Sequence, residues 1–320
     1  MSQAVQFYLS TLLAYIGVDF IACWALNLQF GVAGILSFCF IIFQAAGAYT
    51  AAVLTLGPET PTSFQQYFGG AHLPFPLPVL AAAVVGAVLA LVVGLITLRR
   101  LRRDYQAIVM LVVSLIATLV ATNATGLVNG ANGLSLVPKP LSKGLGLSPY
   151  GTTYQWIFAL VVCGIALVCY AVVHRITSSP YGRVLRALRD NEQAAVAVGK
   201  NPLALRLGIY AVGGALGAVS GALLVEAISA WSPSSWLYPE TFSYFAAVII
   251  GGSGNDLGVA IGALLVPVGF LEAVRFMPTI GGPQFLGALE WIAVGLLLLV
   301  FLWFRPRGIV PERRRKYPAS

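Results

Sequence analysis

The sequence predicts an all-α polytopic membrane protein of about nine transmembrane helices, between eight and ten, with broken or re-entrant segments. Of its 320 residues, 58% are apolar and only 9% are charged, which is more hydrophobic surface than one soluble core of this size buries. The apolar residues fall in runs of roughly 20, the length at which a helix rising about 1.5 Å per residue crosses hydrocarbon. Basic residues cluster at the ends of alternate runs, as membrane topology requires.

The candidate spans share a high apolar content and few charges. They cover 7–26, 36–56, 76–98, 105–122, 154–174, 205–228, 241–252, 257–276 and 286–304. The whole chain, 1–320, then forms a single transmembrane domain. No Lys or Arg precedes Arg99, so the first run lacks the basic start of a cleaved secretory signal, and we expect it to remain as the first helix.

The basic residues predict the orientation, because positive charge is retained on the cytoplasmic side. With loops assigned alternately to the two sides, one side holds all 19 basic residues except Lys139, Lys143 and Arg275. We expect that side to be cytoplasmic, together with the C-terminus; its loops are 99–104, 175–204 and 305–320. The N-terminus is expected to face outward with the loops 57–75, 123–153, 229–240 and 277–285.

Two interruptions break the apolar pattern. Residues 27–37 carry two glycines and three polar side chains, which suits either backbone buried inside a bundle or lining a cavity, or a plain cytoplasmic turn. The stretch Gly-Gly-Ser-Gly-Asn-Asp-Leu-Gly at 251–258 follows a segment too short to cross alone. A broken helix or a tight turn is therefore expected there.

Four carboxylates interrupt the spans, and each calls for a partner or water because a mid-membrane charge costs about 2.5–3.5 kcal/mol on insertion scales. Glu272 is spaced i, i+3 from Arg275, which predicts a structural pair on one helix face. Asp19 has no local partner in the sequence. Its side chain either faces an internal cavity or does not, and the sequence leaves both arrangements open. The other two are Glu226 and Glu290.

Glycines recur every fourth residue at Gly213, Gly217 and Gly221. Such a stripe lets a neighbouring helix approach closely. The neighbour belongs either to the same chain, which we favour, or to another subunit.

The sequence offers no catalytic or nucleotide-binding machinery. No stretch has the G-x-x-x-x-G-K-[ST] spacing of a phosphate-binding loop, and no nucleophile lies beside a base at a useful spacing. The four cysteines and two histidines lack metal-ligand spacing, so we expect no metal or cofactor in this chain. Membrane topology accounts for the formal charge of +8, so nucleic acid is not an expected partner.

The hydrophilic segment 179–202 reads as a short helix. Ser179 is a candidate cap, Pro180 fits the first turn, and Gly199 closes the helix before Asn201-Pro202 opens the next span. Val184, Leu188 and Ala195 share one face, and Arg183, Arg186 and Arg189 form a basic row. The pattern alone favours an interfacial helix on anionic lipid, with a docking helix for a soluble partner as the alternative.

Five stretches of the chain, taken in order, carry a resemblance to the permease subunits of bacterial ABC importers for branched-chain, hydrophobic amino acids. The chain resembles the larger of the two permeases in such systems. The stretches are Asn27 to Ala52, ending Gly-Ala-Tyr-Thr-Ala-Ala; Arg99 to Val109; Ser179 to Pro202; Ser232 to Gly262; and Phe304-Arg-Pro-Arg-Gly308.

This resemblance implies that 180–200 is a coupling helix docked on a cytoplasmic ATPase, through Arg183, Arg186, Arg189, Glu192, Ala194, Ala195 and Gly199. It implies two ATPase subunits carrying ATP and Mg, a second homologous permease forming a heterodimer, a periplasmic substrate-binding protein, and location in the bacterial inner membrane. The candidate substrate-pathway residues are Asp19, Asn27, Gly31, Gly34, Ser37 and Phe40.

One departure leaves the substrate open. Relatives usually have Gly-His where this chain has Cys39-Phe40, and relatives also move urea, short amides and small carboxylates. An ion-coupled secondary transporter that uses acids such as Asp19 or Glu290 is a further alternative.

Overall fold

The computed structural model describes residues 3–58, 64–100, 103–142, 146–149, 151–270 and 283–312. Helices dominate these ranges, which confirms the predicted all-α polytopic membrane fold. The main helices are α1 (Gln3–Leu26), α2 (Phe40–Thr55), α3 (Leu77–Arg100), α4 (Arg103–Asn123), α5 (Thr152–Ser178), α6 (Pro180–Asp190), α7 (Glu192–Ala197), α8 (Pro202–Ile228), α9 (Tyr238–Gly251), α10 (Asp256–Ala263) and α11 (Pro283–Phe304).

Each of the predicted spans overlaps a helical segment. In the described part of the chain, five segments are long and apolar enough to cross a membrane alone: Gln3–Val32, Leu77–Arg99, Tyr105–Asn123, Thr152–Ser178 and Pro202–Ile228. Shorter apolar helices lie at Phe40–Thr55, Asp256–Phe270 and Trp291–Phe304. Lys143 and the predicted pair of Glu272 with Arg275 lie outside the described residues.

Helix α8 is the centre of the bundle and packs against α1, α2 and α3. Its glycine stripe makes these close approaches possible, because the missing side chains leave room for neighbouring atoms. The glycines and their neighbours are Gly213 with Gln29, Gly217 with Phe40 and Phe43, and Gly221 with the backbone of Gln44. All of these neighbours belong to the same chain.

The polar interruption after α1 is buried backbone inside the bundle, the first of the two alternatives that the sequence allows. α1 continues as a π-helical turn, Asn27–Val32, and residues 33–39 then run without regular structure to α2. Gly34 has φ of +70°, a left-handed conformation that glycine adopts without steric cost. Ser37 and Cys39 are fully buried, so this re-entrant segment is not a plain turn in solvent.

The Gly-rich stretch between α9 and α10 is a tight turn, one of the two alternatives that the sequence allows. α9 ends at Gly251, and the backbone reverses through Gly252 and Gly254, whose φ angles are +118° and +86°. Asn255 then caps α10, its side-chain oxygen accepting hydrogen bonds from two amides of the first turn at 3.1 and 3.3 Å.

The segment 180–200 folds as two helices, α6 and α7, and the expectation of one short helix is wrong. Ser179 caps α6, its Oγ accepting from the Gly182 amide at 3.3 Å. Asn191 leaves the helix at φ −151° and ψ 102°, and its Oδ1 accepts from the Ala194 amide at 3.1 Å. The break occurs because an asparagine that caps a new helix competes with continuation of the old one.

Candidate functional site

The exposed tip of the α6–α7 segment contains only some of the residues that the resemblance places at a docking surface. Arg183 of α6 and Ala194 of α7 are exposed. Val196 and Val198 are 50% and 75% exposed, and Gly199, at φ +75°, ends the segment. The tip is therefore small and partly apolar, which suits contact with another protein surface. Ala195 is buried beneath it.

Arg186 and Arg189 point away from this tip, toward the end of the chain. Leu185 and Leu188 are fully buried and anchor the inner face of α6. Arg189 Nη2 donates to Glu312 Oε2 at 2.8 Å, while Arg186 Nε lies 2.6 Å from Glu312 Oε1 as an ion pair without hydrogen-bond geometry. One carboxylate thus pairs with two guanidinium groups, and α6 is held against the C-terminal segment.

The same two arginines connect α6 to the transmembrane helices. Arg189 Nη1 donates to the carbonyl of Gly31 in the π-helical turn, and its side-chain stem packs against Gly34. Arg186 Nη1 donates to the Thr177 carbonyl at 2.9 Å, at the end of α5. Arg186 and Arg189 therefore tie α6 to the end of α5 and to the interruption between α1 and α2.

A buried polar cluster lies behind these contacts. Asn27 accepts from the Gly254 amide at 2.8 Å and lies 3.4 Å from Asp256 Oδ1 through its own amide nitrogen. The other oxygen of Asp256 accepts from Thr177 Oγ1 at 2.7 Å and lies 3.4 Å from His174 Nδ1. The cluster fastens α1, α5 and the α9–α10 turn to one another.

Helix α7 has its own connection to the centre of the bundle. Glu192 and Arg206 form a bidentate pair, with N–O distances of 3.1 and 2.8 Å. Arg206 belongs to the first turns of α8, and such planar two-bond pairs fix orientation as well as distance. This pair therefore ties α7 to the beginning of α8.

The candidate pathway residues are mostly held in contacts between helices. Asn27, Gly31 and Gly34 belong to the network below α6. Ser37 Oγ lies 3.3 Å from the Tyr210 hydroxyl on α8, and Phe40 is fully buried against neighbouring rings.

Asp19 lies part-exposed on α1 and accepts a long hydrogen bond of 3.5 Å from the Tyr244 hydroxyl on α9. The same hydroxyl contacts Gln44 of α2 at 3.1 Å. These three side chains form a polar group where α1, α2 and α9 meet.

The sequence analysis did not identify Gln44, Tyr210, Tyr244, Asp256 and Glu312 as members of these networks. Gln44 was predictable as a buried polar contact, since an amide inside an apolar run needs a hydrogen-bond partner. Glu312 was not predictable, because it stands in a tail dominated by basic residues.

The helices are long and apolar enough to cross a membrane several times, and a polar helical segment is tied by an ion pair to the central helix, which defines a multi-pass membrane protein. Comparison with known proteins narrows this class. The chain belongs to the family described as the branched-chain amino acid transport system permease component, whose family model matches residues 8–304.

Individual proteins that are similar to this chain are also named as transport permeases. A probable branched-chain amino acid transport permease protein LivM of Methanocaldococcus jannaschii is 29% identical, over 95% of this chain and 94% of that protein. The high-affinity branched-chain amino acid transport system permease protein LivM of Escherichia coli is 29% identical, over 90% of this chain and 67% of that protein. The fructose import permease protein FrcC of Rhizobium meliloti is 31% identical over 44% of this chain and 38% of its own length. These relatives are transport permeases rather than enzymes. No solved structure matches the chain.

Proposed function

We propose that this chain forms the transmembrane pathway for branched-chain, hydrophobic amino acids in an importer driven by separate ATPase subunits. The observation that carries the proposal is the two-armed anchoring of the α6–α7 segment. One arm joins Arg189 to the Gly31 carbonyl, and the other joins Glu192 to Arg206 of the central helix. A docking segment anchored in this way would pass a displacement caused by a bound partner on to the helices within the membrane.

The proposed assembly contains two cytoplasmic ATPase subunits, a second homologous permease and a periplasmic substrate-binding protein. In this proposal the ATPase subunits bind ATP and Mg, and this chain forms the transmembrane pathway. The sequence supports this assignment because it has no nucleotide-binding loop. The chain lies in the inner membrane with its C-terminus cytoplasmic, an orientation that the distribution of basic residues supports.

In the proposed mechanism, closure of the ATPase subunits displaces the α6–α7 tip. Arg189 then pulls on the backbone at Gly31, while Glu192 shifts α8, and the bundle changes between outward-open and inward-open arrangements. Arg186 contributes by holding the C-terminal segment to α6. Replacing both Arg186 and Glu192 by alanine is therefore expected to lower substrate-stimulated ATP hydrolysis.

The docking surface is tested by placing a charge on the tip. Val198→Asp adds a carboxylate to a side chain that is 75% exposed, so the fold loses little. Ser178→Asp adds the same charge to an exposed residue at the end of α5 and is the matched control. We expect Val198→Asp to reduce co-purification of the ATPase subunits and substrate-stimulated hydrolysis, with Ser178→Asp near wild type.

Equal ATPase recovery and equal stimulation in Val198→Asp and wild type would contradict docking at this tip. Uptake by the reconstituted chain that an ion gradient drives without ATPase subunits would contradict the importer mechanism itself.

A further inference from the structure

A cleft lies at the opposite end of α8 from the α6–α7 segment. It has a volume of about 360 Å³, which is within the range of small-molecule sites. It is formed where α2 and α8 end and where the loops before α3 and α5 meet. The residues that matter here are Thr55, His72, Phe75, Lys139, Ser142 and Glu226.

Glu226 is the unusual feature of this cleft. Its side chain lies in the last turn of α8 and is 1% exposed, yet its Oε2 has no hydrogen-bond partner. A buried carboxylate oxygen without a donor is unfavourable, so its lack of a partner within the described structure calls for an explanation. In a membrane protein an uncompensated acid facing a cavity indicates a site for a cation or a donor.

A positive group stands in the same cleft. Lys139 Nζ donates to the carbonyl of Ala227 at 3.3 Å, one residue beyond Glu226, and lies 5.8 Å from the centre of the Tyr154 ring. The Tyr154 hydroxyl in turn donates to the Pro140 carbonyl at 2.9 Å and fixes the loop that carries the lysine. Partial burial lowers the pKa of the Lys139 amine. The cleft therefore presents a carboxylate and an amine that are held by separate elements.

Apart from Thr55, His72 and Ser142, the remaining lining is apolar. Leu73, Phe75 and Leu141 contribute hydrocarbon, and Pro74 and Pro138 stiffen the two loops. A ligand that suits this lining has an ammonium group for Glu226, an anionic group for Lys139 and a short hydrocarbon chain. An aliphatic α-amino acid in its zwitterionic form has all three.

We propose that this outer cleft is an entry site for the transported amino acid, in which Glu226 accepts hydrogen bonds from the α-ammonium group and Lys139 faces the α-carboxylate. The inference rests on the proposed function for the identity of the substrate. It adds a binding site that lies apart from the α6–α7 network.

The test measures protection of a cysteine placed in the cleft. Ser142→Cys lines the cleft, and Ser234→Cys is an exposed control in the loop before α9. The full chain is reconstituted in nanodiscs and treated with a charged methanethiosulfonate reagent, with and without leucine. The native cysteines are buried or part-buried within spans, and the chain without added cysteine measures their background labelling.

We expect leucine to slow modification at Ser142→Cys and leave Ser234→Cys unchanged. Leucinol, which keeps the ammonium group, should protect, whereas 4-methylpentanoate, which lacks it, should protect at concentrations about tenfold higher or more. Adding Glu226→Gln should weaken protection by leucine and leucinol about tenfold or more, with little effect on 4-methylpentanoate.

Protection by 4-methylpentanoate equal to that by leucine would overturn the role of the ammonium group, even if Glu226→Gln failed to fold. Absence of leucine protection at Ser142→Cys, in a complex that carries this cysteine and still transports leucine, would also overturn the entry site while leaving the proposed function intact. Failure of the wild-type complex to transport any branched-chain amino acid would instead refute the proposed function.

Discussion

Replacement of Glu312 by glutamine tests whether the C-terminal segment holds α6 in place. The change keeps the side-chain shape and removes the charge shared by Arg186 and Arg189, whose N–O distances are 2.6 and 2.8 Å. The three side chains are 16–28% exposed. Their exposure is intermediate between that of surface ion pairs, which contribute up to about 1 kcal/mol, and that of fully buried pairs. We expect the free energy of local opening of α6 to fall by about 1–2 kcal/mol.

The assay is hydrogen–deuterium exchange of peptides covering α6 in the full chain. The expected loss corresponds to amide exchange that is about five- to thirtyfold faster. Arg183→Gln removes an exposed cation from the same helix and is the control, with little change expected. A double-mutant cycle of Glu312→Gln with Arg189→Gln should give non-additive effects. Wild-type exchange in Glu312→Gln, or additive effects in the cycle, would refute the proposed clamp.

Three other substitutions probe packing, capping and the re-entrant segment. Gly221→Val should prevent α8 from packing against α2, because its Cβ would overlap the backbone of α2. Gly164→Val is the control and should fold normally, because there is open space around Gly164. Identical size-exclusion profiles of the two variants would contradict this prediction. Asn191→Ala should make amide exchange in α7 about fivefold faster, since a lost cap costs about 1 kcal/mol, and Asn191→Asp should keep the wild-type rate. Tyr210→Phe removes the hydroxyl 3.1 Å from the Cys39 thiol, so a membrane-permeant maleimide should label Cys39 faster; unchanged labelling would exclude that restraint.

The sequence predicts what depends on local chemistry. Ser179 and Asn201 cap their helices because each precedes a proline and has a side-chain oxygen within reach of an amide three residues on, at 3.3 and 3.2 Å. Asn191 has a similar local signal, an asparagine followed by Glu-Gln-Ala, so the break between α6 and α7 was also predictable. The apolar runs predict the helices for the same reason, since an apolar run of about 20 residues is itself the signal of a membrane-crossing helix.

The contacts of the candidate site are distant in sequence, and no local pattern encodes them. Arg189 meets Glu312 across 123 positions, and Thr177 meets Asp256 across 79. From sequence alone, a row of arginines on a hydrophilic helix predicts a surface that binds lipid or a partner protein. The acid that pairs with two of these arginines is known only from the structure. Folding turned two members of that row inward, and only Arg183 stayed exposed.

The shortness of α2 has a consequence for how the protein is made. Its 16 residues span about 24 Å, less than the roughly 30 Å of hydrocarbon, so the re-entrant segment must supply the remaining depth. That segment and the first turn of α2 depend on groups synthesised much later. The Tyr210 hydroxyl contacts Ser37, 173 positions earlier, and Thr241 accepts a hydrogen bond from the Ile41 amide, 200 positions earlier. Backbone groups without partners are costly in lipid. We therefore expect α2 to reach its final depth only after α8 and α9 have been synthesised.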